Sequence, residues 1–106
     1  MTEPAPHVFN ASMGAHLEVL YASPQIVAQR RRFRSLLDVR DGESGVDVGC
    51  GVGHLTCELA EDVGVEGRMT GVDASADMLA GAAARVHARR LGDRVALREG
   101  DRKSVV

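Results

Sequence analysis

The sequence predicts an α/β protein in which a parallel, Rossmann-like sheet is flanked by helices. After residue 44, apolar segments of strand length alternate with segments of helical periodicity, the pattern of parallel strands joined by right-handed crossovers. A glycine-rich stretch, residues 49–53, separates the first predicted strand from a helix. An acidic residue also stands at the end of each predicted strand. These three observations together predict the α/β fold class.

Composition places the chain among soluble globular proteins. Its 106 residues fit one domain, with 44% hydrophobic and 26% charged residues. The net charge of −2 gives no electrostatic reason to expect nucleic acid or a membrane as a partner. No apolar run approaches the ~18 residues of a membrane span, and the first residues lack the features of a signal peptide. We therefore expect a cytoplasmic protein.

The predicted N-terminal region, residues 1–44, combines a lead-in with a helix. Residues 1–12 show no sustained period and are interpreted as a frayed terminus. The alternative is a lid over a ligand pocket, formed by three side chains: His7, Phe9 and Met13. A short helix is predicted over 15–21. At its end, Tyr21 is expected to pack, with contact to a cofactor as the alternative.

Ser23-Pro24 marks the start of a longer helix, because serine caps free amides and proline suits the first helical position. The helix is predicted to end at about Asp38. Five of its residues supply an apolar face: Ile26, Val27, Phe33, Leu36 and Leu37. Four arginines form a basic cluster: Arg30, Arg31, Arg32 and Arg34. We expect this cluster to be a solvated face, and an acidic substrate or partner is the alternative.

Residues 45–106 are predicted to form the domain that contains the sheet. Strand one spans about Gly45–Val48. The following helix begins near Gly53 and ends at Gly64, with a stripe of apolar residues at i, i+4 and i+8: Leu55, Leu59 and Val63.

The second and third strands follow at similar spacing. Strand two, Arg68–Val72, leads into a helix that Ser75 caps, which runs to about Leu91 and stops at Gly92. Its predicted face contains six residues: Met78, Leu79, Ala82, Ala83, Val86 and Arg90. Strand three is Arg94–Arg98, with Val95 and Leu97 on one face.

Asp47, Asp73 and Asp101 fall at the ends of the three strands. Ligands of open parallel sheets bind outside the carboxyl ends of the strands, so the three carboxylates are predicted to share one site. No metal site is expected. Cys50 and Cys57 are expected to be reduced, packed thiols, and His54 to be a first-turn residue of the helix rather than a ligand.

The glycine spacing discriminates among nucleotide sites. A dinucleotide fingerprint has the pattern G-x-G-x-x-G/A, whereas here the third glycine comes one place early and His54 takes the place of a small residue. The Lys-Ser/Thr of a phosphate-binding P-loop is missing. Asp47, directly before the loop, suits a ligand with a cationic amine or sulfonium better than a pyrophosphate.

These residues resemble the class I S-adenosylmethionine-dependent methyltransferases. The segment Val46-Asp47-Val48-Gly49-Cys50-Gly51-Val52-Gly53 is similar to their motif I. The segment Gly71-Val72-Asp73-Ala74-Ser75, with Asp77-Met78-Leu79 after it, is similar to the acidic loop that follows their second strand. The segment Arg98-Glu99-Gly100-Asp101 is similar to their strand-three motif. The resemblance covers about residues 45–101, and a weaker one to the small-molecule and lipid-quinone branch covers 21–32.

The resemblance implies a role for individual residues toward S-adenosylmethionine. Gly49 and Gly51, with Cys50 between them, would let loop amides approach its methionine part, with Asp47 near the amine. Asp73 would accept hydrogen bonds from both ribose hydroxyls. The adenine end would be held by the remaining four residues: Ala74, Met78, Gly100 and Asp101. For Met78, a role in the core is an equal alternative. The implied reaction is in-line methyl transfer, and no catalytic acid or base can be named.

The implied family fold has seven strands, whereas this chain stops just after the third. We therefore expect a truncated form or a fragment. Strand one, internal in the family sheet, would become an open edge, and this predicts marginal stability or self-association through strand one.

Three functions are compatible with these observations. The first is the cofactor-binding half of a methyltransferase that acts on a small-molecule acceptor. The second is a non-catalytic adenosyl-binding module or truncated remnant. The third is a fragment of an NAD-dependent oxidoreductase, which His54 disfavours.

Overall fold

The computed structural model describes residues 19–100, in which three parallel strands form one sheet. The elements in chain order are α1 (Pro24–Leu37), β1 (Ser44–Val48), α2 (His54–Val63), β2 (Arg68–Asp73), α3 (Ala76–Ala88) and β3 (Val95–Glu99). The strand order is β1-β2-β3. The predicted fold class is confirmed, and the predicted strand boundaries differ from the observed ones by at most one residue.

Part of the N-terminal prediction lies outside the described residues. This holds for residues 1–12, including the lid interpretation of His7, Phe9 and Met13. Of the helix predicted over 15–21, the described residues 19–21 are helical.

Helices α2 and α3 pack against one face of the sheet, because the strands present small and apolar residues there. The register aligns Met69 with Val95 and Gly71 with Leu97 on this face. The buried core consists of seven residues: Cys57, Leu59, Ala60, Val63, Met69, Val86 and Leu91. Burying each large apolar side chain contributes ~1.5–3 kcal/mol. The predicted stripe of α2 is confirmed, and Cys50 and Cys57 are free, buried thiols, as expected.

The predicted end of α3 is wrong by three residues. The helix ends at Ala88, and Arg90 adopts a left-handed conformation with φ of 58°. This turn lets the Leu91 amide donate to the Val86 carbonyl at 2.9 Å and brings the Leu91 side chain to 2% exposure. Leu91 therefore joins the core from a loop, and Arg90 is not on the helical face that the sequence suggested.

Helix α1 begins as predicted, since the Ser23 side chain accepts from the Ile26 amide at 3.4 Å. Its apolar residues do not form a buried face, and α1 has no buried residue. Phe33, Leu36 and Leu37 are 47%, 79% and 46% exposed. The side-chain hydrogen bonds that join α1 to α2 among the described residues come from its arginines.

The prediction of a solvated arginine face is wrong for Arg30 and Arg34. Arg30 Nε donates to Glu58 of α2 at 2.9 Å. Arg34 forms a bidentate pair with Asp62, one turn further along both helices, at 2.8 and 2.7 Å. The Asp62 bond raises the pKa of Arg34, and the same bond lowers the pKa of Asp62. These pairs connect α1 to α2.

Strand β1 is at the edge of the sheet formed by residues 19–100. Val46 and Val48 point away from α2 and are 50% and 48% exposed. The sheet face opposite the helices is therefore apolar and partly exposed at β1. In the same described range, no helix is long and apolar enough to cross a membrane.

Candidate functional site

The glycine loop, residues 49–53, connects β1 to α2 at the carboxyl end of the sheet. Gly49, Gly51 and Gly53 have φ values of +75°, +56° and +84°. Glycine adopts positive φ freely, and other residues do so at a cost. A Cβ at Gly49 or Gly51 would meet no protein atom within 4 Å. These two positions therefore present bare main chain to open space.

The carboxyl end of β2 holds the loop through the loop's own amides. The Val72 carbonyl accepts from the amides of Gly49 and Cys50, at 2.7 and 2.9 Å. The Gly51 amide donates to Asp73 Oδ2 at 2.9 Å. All three amides thus donate their hydrogen bonds to acceptors within the protein. The amide hydrogens of Gly49 and Gly51 are therefore already bonded inside the protein, at the two positions where the resemblance implies an approach of loop amides to the ligand.

Asp73, the last residue of β2, links the loop to the start of α3. Its Oδ2 accepts from Gly51, and its Oδ1 accepts from the Ser75 amide at 2.9 Å. Ser75 in turn caps α3, as predicted, by accepting from the Met78 amide at 3.2 Å. A carboxylate has about four lone-pair sites. Asp73 can therefore accept further hydrogen bonds from a ligand while it holds the loop.

Helix α3 supports the other side of the loop. The Val52 side chain is 4% exposed, and Arg85 Nε donates to the Val52 carbonyl at 3.1 Å. A Cβ added at Gly53 would lie 3.0 Å from the Ala82 Cβ, and one added at Gly81 would lie 3.0 Å from Val52. The contact between loop and helix thus requires small residues, and it leaves the loop little freedom to move.

Asp47 points from β1 toward α2, where Thr56 Oγ1 donates to Asp47 Oδ2 at 2.6 Å. Burial raises the pKa of Asp47, the bond from Thr56 opposes this rise, and the nearby charge of Asp73 adds to it. A cationic group beside Asp47 would favour its ionised form. The electrostatics of the site therefore suit a ligand with a positive charge.

A cavity of about 220 Å³ opens between the glycine loop and the segment that precedes α1. Nine residues line it: Tyr21, Arg30, Asp47, Gly49, Cys50, Val52, Gly53, His54 and Leu55. Small-molecule pockets usually have volumes of ~300–1,000 Å³. The cavity is thus large enough for part of a nucleoside-sized ligand.

Cys50 is 8% exposed and packs closely on Gly71 of β2. The approach is so close that a Cβ added at Gly71 would lie 3.0 Å from the Cys50 Sγ. Burial raises the pKa of the Cys50 thiol to about 12, and the charges of Asp47 and Asp73 add to this effect. The sulfur is therefore protonated at neutral pH. Cys50 shapes the cavity wall and is unsuited to be a nucleophile.

The other predicted site residues lie around Asp73 and do not line the cavity. Ala74 follows β2 directly and is exposed. Met78 is 5% exposed, which favours its core role. The Gly100 amide donates to the Asp73 carbonyl at 3.0 Å, so Gly100 is adjacent to the acid. Asp101 lies outside the described residues.

Sequence analysis did not identify Thr56 or Arg30 as site residues. Thr56 is fully buried and holds Asp47. The only indication in the sequence was that Thr56 follows Asp47 by nine residues, across the glycine loop and into the first turn of α2. Arg30 gave none, because its partner Glu58 is 28 residues away. His54 is the first residue of α2, as predicted. Within 19–100, no group of His, Cys, Asp and Glu side chains could hold a metal ion.

Comparison with known proteins identifies relatives of the chain. A family described as methyltransferase domain matches residues 46–105. A demethylmenaquinone methyltransferase from Lactobacillus johnsonii is 35% identical over 72 residues, which are 68% of this chain and 30% of the relative.

Two solved structures extend the comparison. An S-adenosylmethionine-dependent methyltransferase from Geobacter sulfurreducens, in complex with S-adenosyl-L-homocysteine, is 28% identical with a TM-score of 0.62, over 74% of this chain and 30% of that chain. One from Aquifex aeolicus, 21% identical with a TM-score of 0.70, shares the fold over 88% of this chain and 48% of that chain. The chain thus spans less than half the length of each relative.

Proposed function

Because this chain belongs to the class I S-adenosylmethionine-dependent methyltransferases, we propose that its glycine loop, Asp47 and Asp73 bind S-adenosylmethionine for methyl transfer to a small-molecule acceptor. One observation carries this proposal. Asp47 and Asp73 flank a loop whose glycines expose main chain at the carboxyl end of the sheet.

The described residues fit the cofactor in three respects. The open space at Gly49 and Gly51 would admit a ligand that a Cβ would exclude. Asp47, whose pKa is raised by burial, would be stabilised as a carboxylate by a ligand ammonium or sulfonium. Asp73 keeps lone pairs for ribose hydroxyls beyond its bonds to Gly51 and Ser75.

When bound, S-adenosylmethionine would supply a methyl group on a sulfonium: the acceptor nucleophile would bond to the methyl carbon in line as the S–CH3 bond breaks, with S-adenosylhomocysteine as the leaving group. The residues of this chain would act by positioning. The loop, held by Val72 and Arg85, would provide a rigid surface, and such preorganisation lowers the entropic part of the barrier. Asp47 would fix the amine end. Cys50, a thiol at neutral pH, takes no part as a nucleophile.

A small-molecule acceptor is supported by the relative from Lactobacillus johnsonii, whose name specifies demethylmenaquinone. The net charge of −2 also disfavours a polyanionic acceptor. The acceptor, and transfer by the chain alone, are proposals, because the matched segment is 30% of that relative.

Calorimetry with S-adenosylhomocysteine and with NAD tests the cofactor. We expect binding of the former and none of the latter, and the reverse result would contradict the proposal. A second assay would follow labelled methyl groups from S-adenosylmethionine into small molecules and into RNA of a cell extract. Label in small molecules is expected. Label in RNA would contradict the acceptor class, and binding without transfer would favour an adenosyl-binding module.

We further propose that the chain self-associates through β1. The half-exposed Val46 and Val48 and the unpaired edge of this strand in the described sheet support it. Light scattering and thermal melts at increasing protein concentration are the tests. Val48→Lys should lower the association, and a concentration-independent monomer would contradict it.

We also propose a cytoplasmic location, which fractionation of producing cells would test.

A further inference from the structure

We propose that Arg30 is a positioning residue that holds Tyr21 as a wall of the cofactor pocket. This inference rests on the proposed function, since Asp47 and Gly49, which that function assigns to S-adenosylmethionine, line the cavity of about 220 Å³ that we call the cofactor pocket. It extends that function to α1 and to the segment before it, which contribute no residue to the strand–loop–helix unit of the site.

The contacts of Arg30 connect three parts of the chain. Its Nε donates to Glu58 on α2 at 2.9 Å, and its Nη1 donates to the Tyr21 carbonyl at 2.9 Å. The side chains of Arg30 and Glu58 are each 15% exposed, so the pair is largely shielded from water. A guanidinium is planar and rigid, so two such bonds fix the Tyr21 backbone relative to α2.

Tyr21 lies against the entrance of the glycine loop. Its ring centroid is 5.5 Å from that of His54, the first residue of α2, with the planes inclined by 48°. Tyr21, His54 and Arg30 all line the same cavity as Asp47. A shift of the Tyr21 segment would therefore change the shape of this cavity.

Arg34 provides a matched control. It pairs with Asp62 across the same two helices, with the same separation of 28 residues, at 2.8 Å. Arg34 neither contacts Tyr21 nor lines the cavity beside Asp47. Arg34 Nη1 also lies 3.9 Å from Glu58 Oε1, and Arg34→Lys keeps a positive charge at this position. The substitution therefore weakens a comparable helix–helix pair and leaves both hydrogen bonds of Arg30 in place.

The test combines Arg30→Lys, Arg34→Lys and Tyr21→Ala in the full chain. Lysine keeps the charge but has no planar fork for two fixed partners. We expect Arg30→Lys to weaken binding of S-adenosylhomocysteine about three- to tenfold, the effect of losing one preorganised side chain. Arg34→Lys should leave this affinity unchanged. Tyr21 is the only tyrosine and the chain has no tryptophan, so its fluorescence anisotropy reports on this wall directly. We expect the anisotropy to fall in Arg30→Lys alone.

A double-mutant cycle separates positioning from general stability. If Arg30 acts through Tyr21, then Arg30→Lys should have no further effect on affinity in the Tyr21→Ala background. Equal affinity and anisotropy in Arg30→Lys and Arg34→Lys, or additive losses in the cycle, would overturn the inference. Absence of binding by the wild type would instead overturn the proposed function, and this inference with it.

Discussion

Helix α2 lies between two regions in which the pKa of an aspartate is shifted in opposite directions. On its outer side, Asp62 has a fixed cation partner in Arg34, and this bond lowers the pKa of Asp62. At the glycine loop, burial raises the pKa of Asp47, whose partner in the protein is the hydroxyl of Thr56. The outer region thus gains stability from its charges, whereas the pocket carries an electrostatic cost that a cationic ligand would relieve.

The largest expected effect is a loss of folding stability when the packing of the glycine loop on α3 is disturbed. In Gly53→Ala, the new Cβ would lie 3.0 Å from the Ala82 Cβ at a φ of +84°. Overpacking and left-handed strain should together lower the free energy of unfolding by about 2–4 kcal/mol. Gly42→Ala is the control, since φ there is +85° with nothing within 4 Å. Chemical denaturation measures both, and equal losses would show that packing on α3 is unimportant.

Asp47→Asn should separate binding from stability. Asparagine keeps an acceptor for Thr56 but loses the charge that would pair with a ligand amine. A hydrogen bond to a charged group contributes ~1.5–3 kcal/mol, so affinity for S-adenosylhomocysteine should fall roughly 10- to 100-fold. Because ionised Asp47 is disfavoured in the fold, the melting temperature at neutral pH should stay unchanged or rise. A lower melting temperature with unchanged affinity would contradict the charge comparison.

The pH dependence of binding should follow Asp47. Its pKa is raised in the folded chain, so the folded state binds this proton more tightly than the unfolded state does. The stability contribution of Asp47 therefore decreases as pH rises through the raised pKa, while ligand affinity increases over the same range. Calorimetric titrations across acidic pH would measure this. Asp47→Asn should flatten the profile, and an unchanged profile in that variant would assign the titration to another group.

The smallest expected effect is on the outer side of α2. Asp62→Asn should cost about 0.5–1 kcal/mol at neutral pH, because the bidentate pair with Arg34 is only partly buried. The pKa of Asp62 is lowered, so its contribution is present above the unfolded value of 3.8 and is lost as pH falls through the folded pKa. Wild-type and variant melting temperatures should thus converge in acid. Asp38→Asn, which removes the exposed pair with Arg40, should leave the free energy of unfolding at neutral pH unchanged.

The sheet and the glycine loop were predictable because their determinants are local. The alternation of strand and helix patterns, the three loop glycines and the acid at the end of β2 each follow from nearby residues. The bonds of Asp73 to Gly51 and Ser75 also involve neighbouring segments, yet their use inside the protein could not be inferred from spacing alone.

The attachment of α1 was not predictable for the opposite reason. Its apolar periodicity suggested a buried face, but Arg30 and Arg34 pair with residues 28 positions away. No pattern within the helix distinguishes an arginine that faces water from one that faces another helix. The loop position of Leu91 is similar, since a continuous apolar pattern does not indicate where the backbone turns.

The Val72 carbonyl, which accepts from both Gly49 and Cys50, has a consequence for measurement. Each amide hydrogen is bonded to this carbonyl, so it exchanges with solvent when the loop separates from the second strand. The isotope-exchange rates of these two amides therefore report how often the binding surface comes apart, with no ligand present.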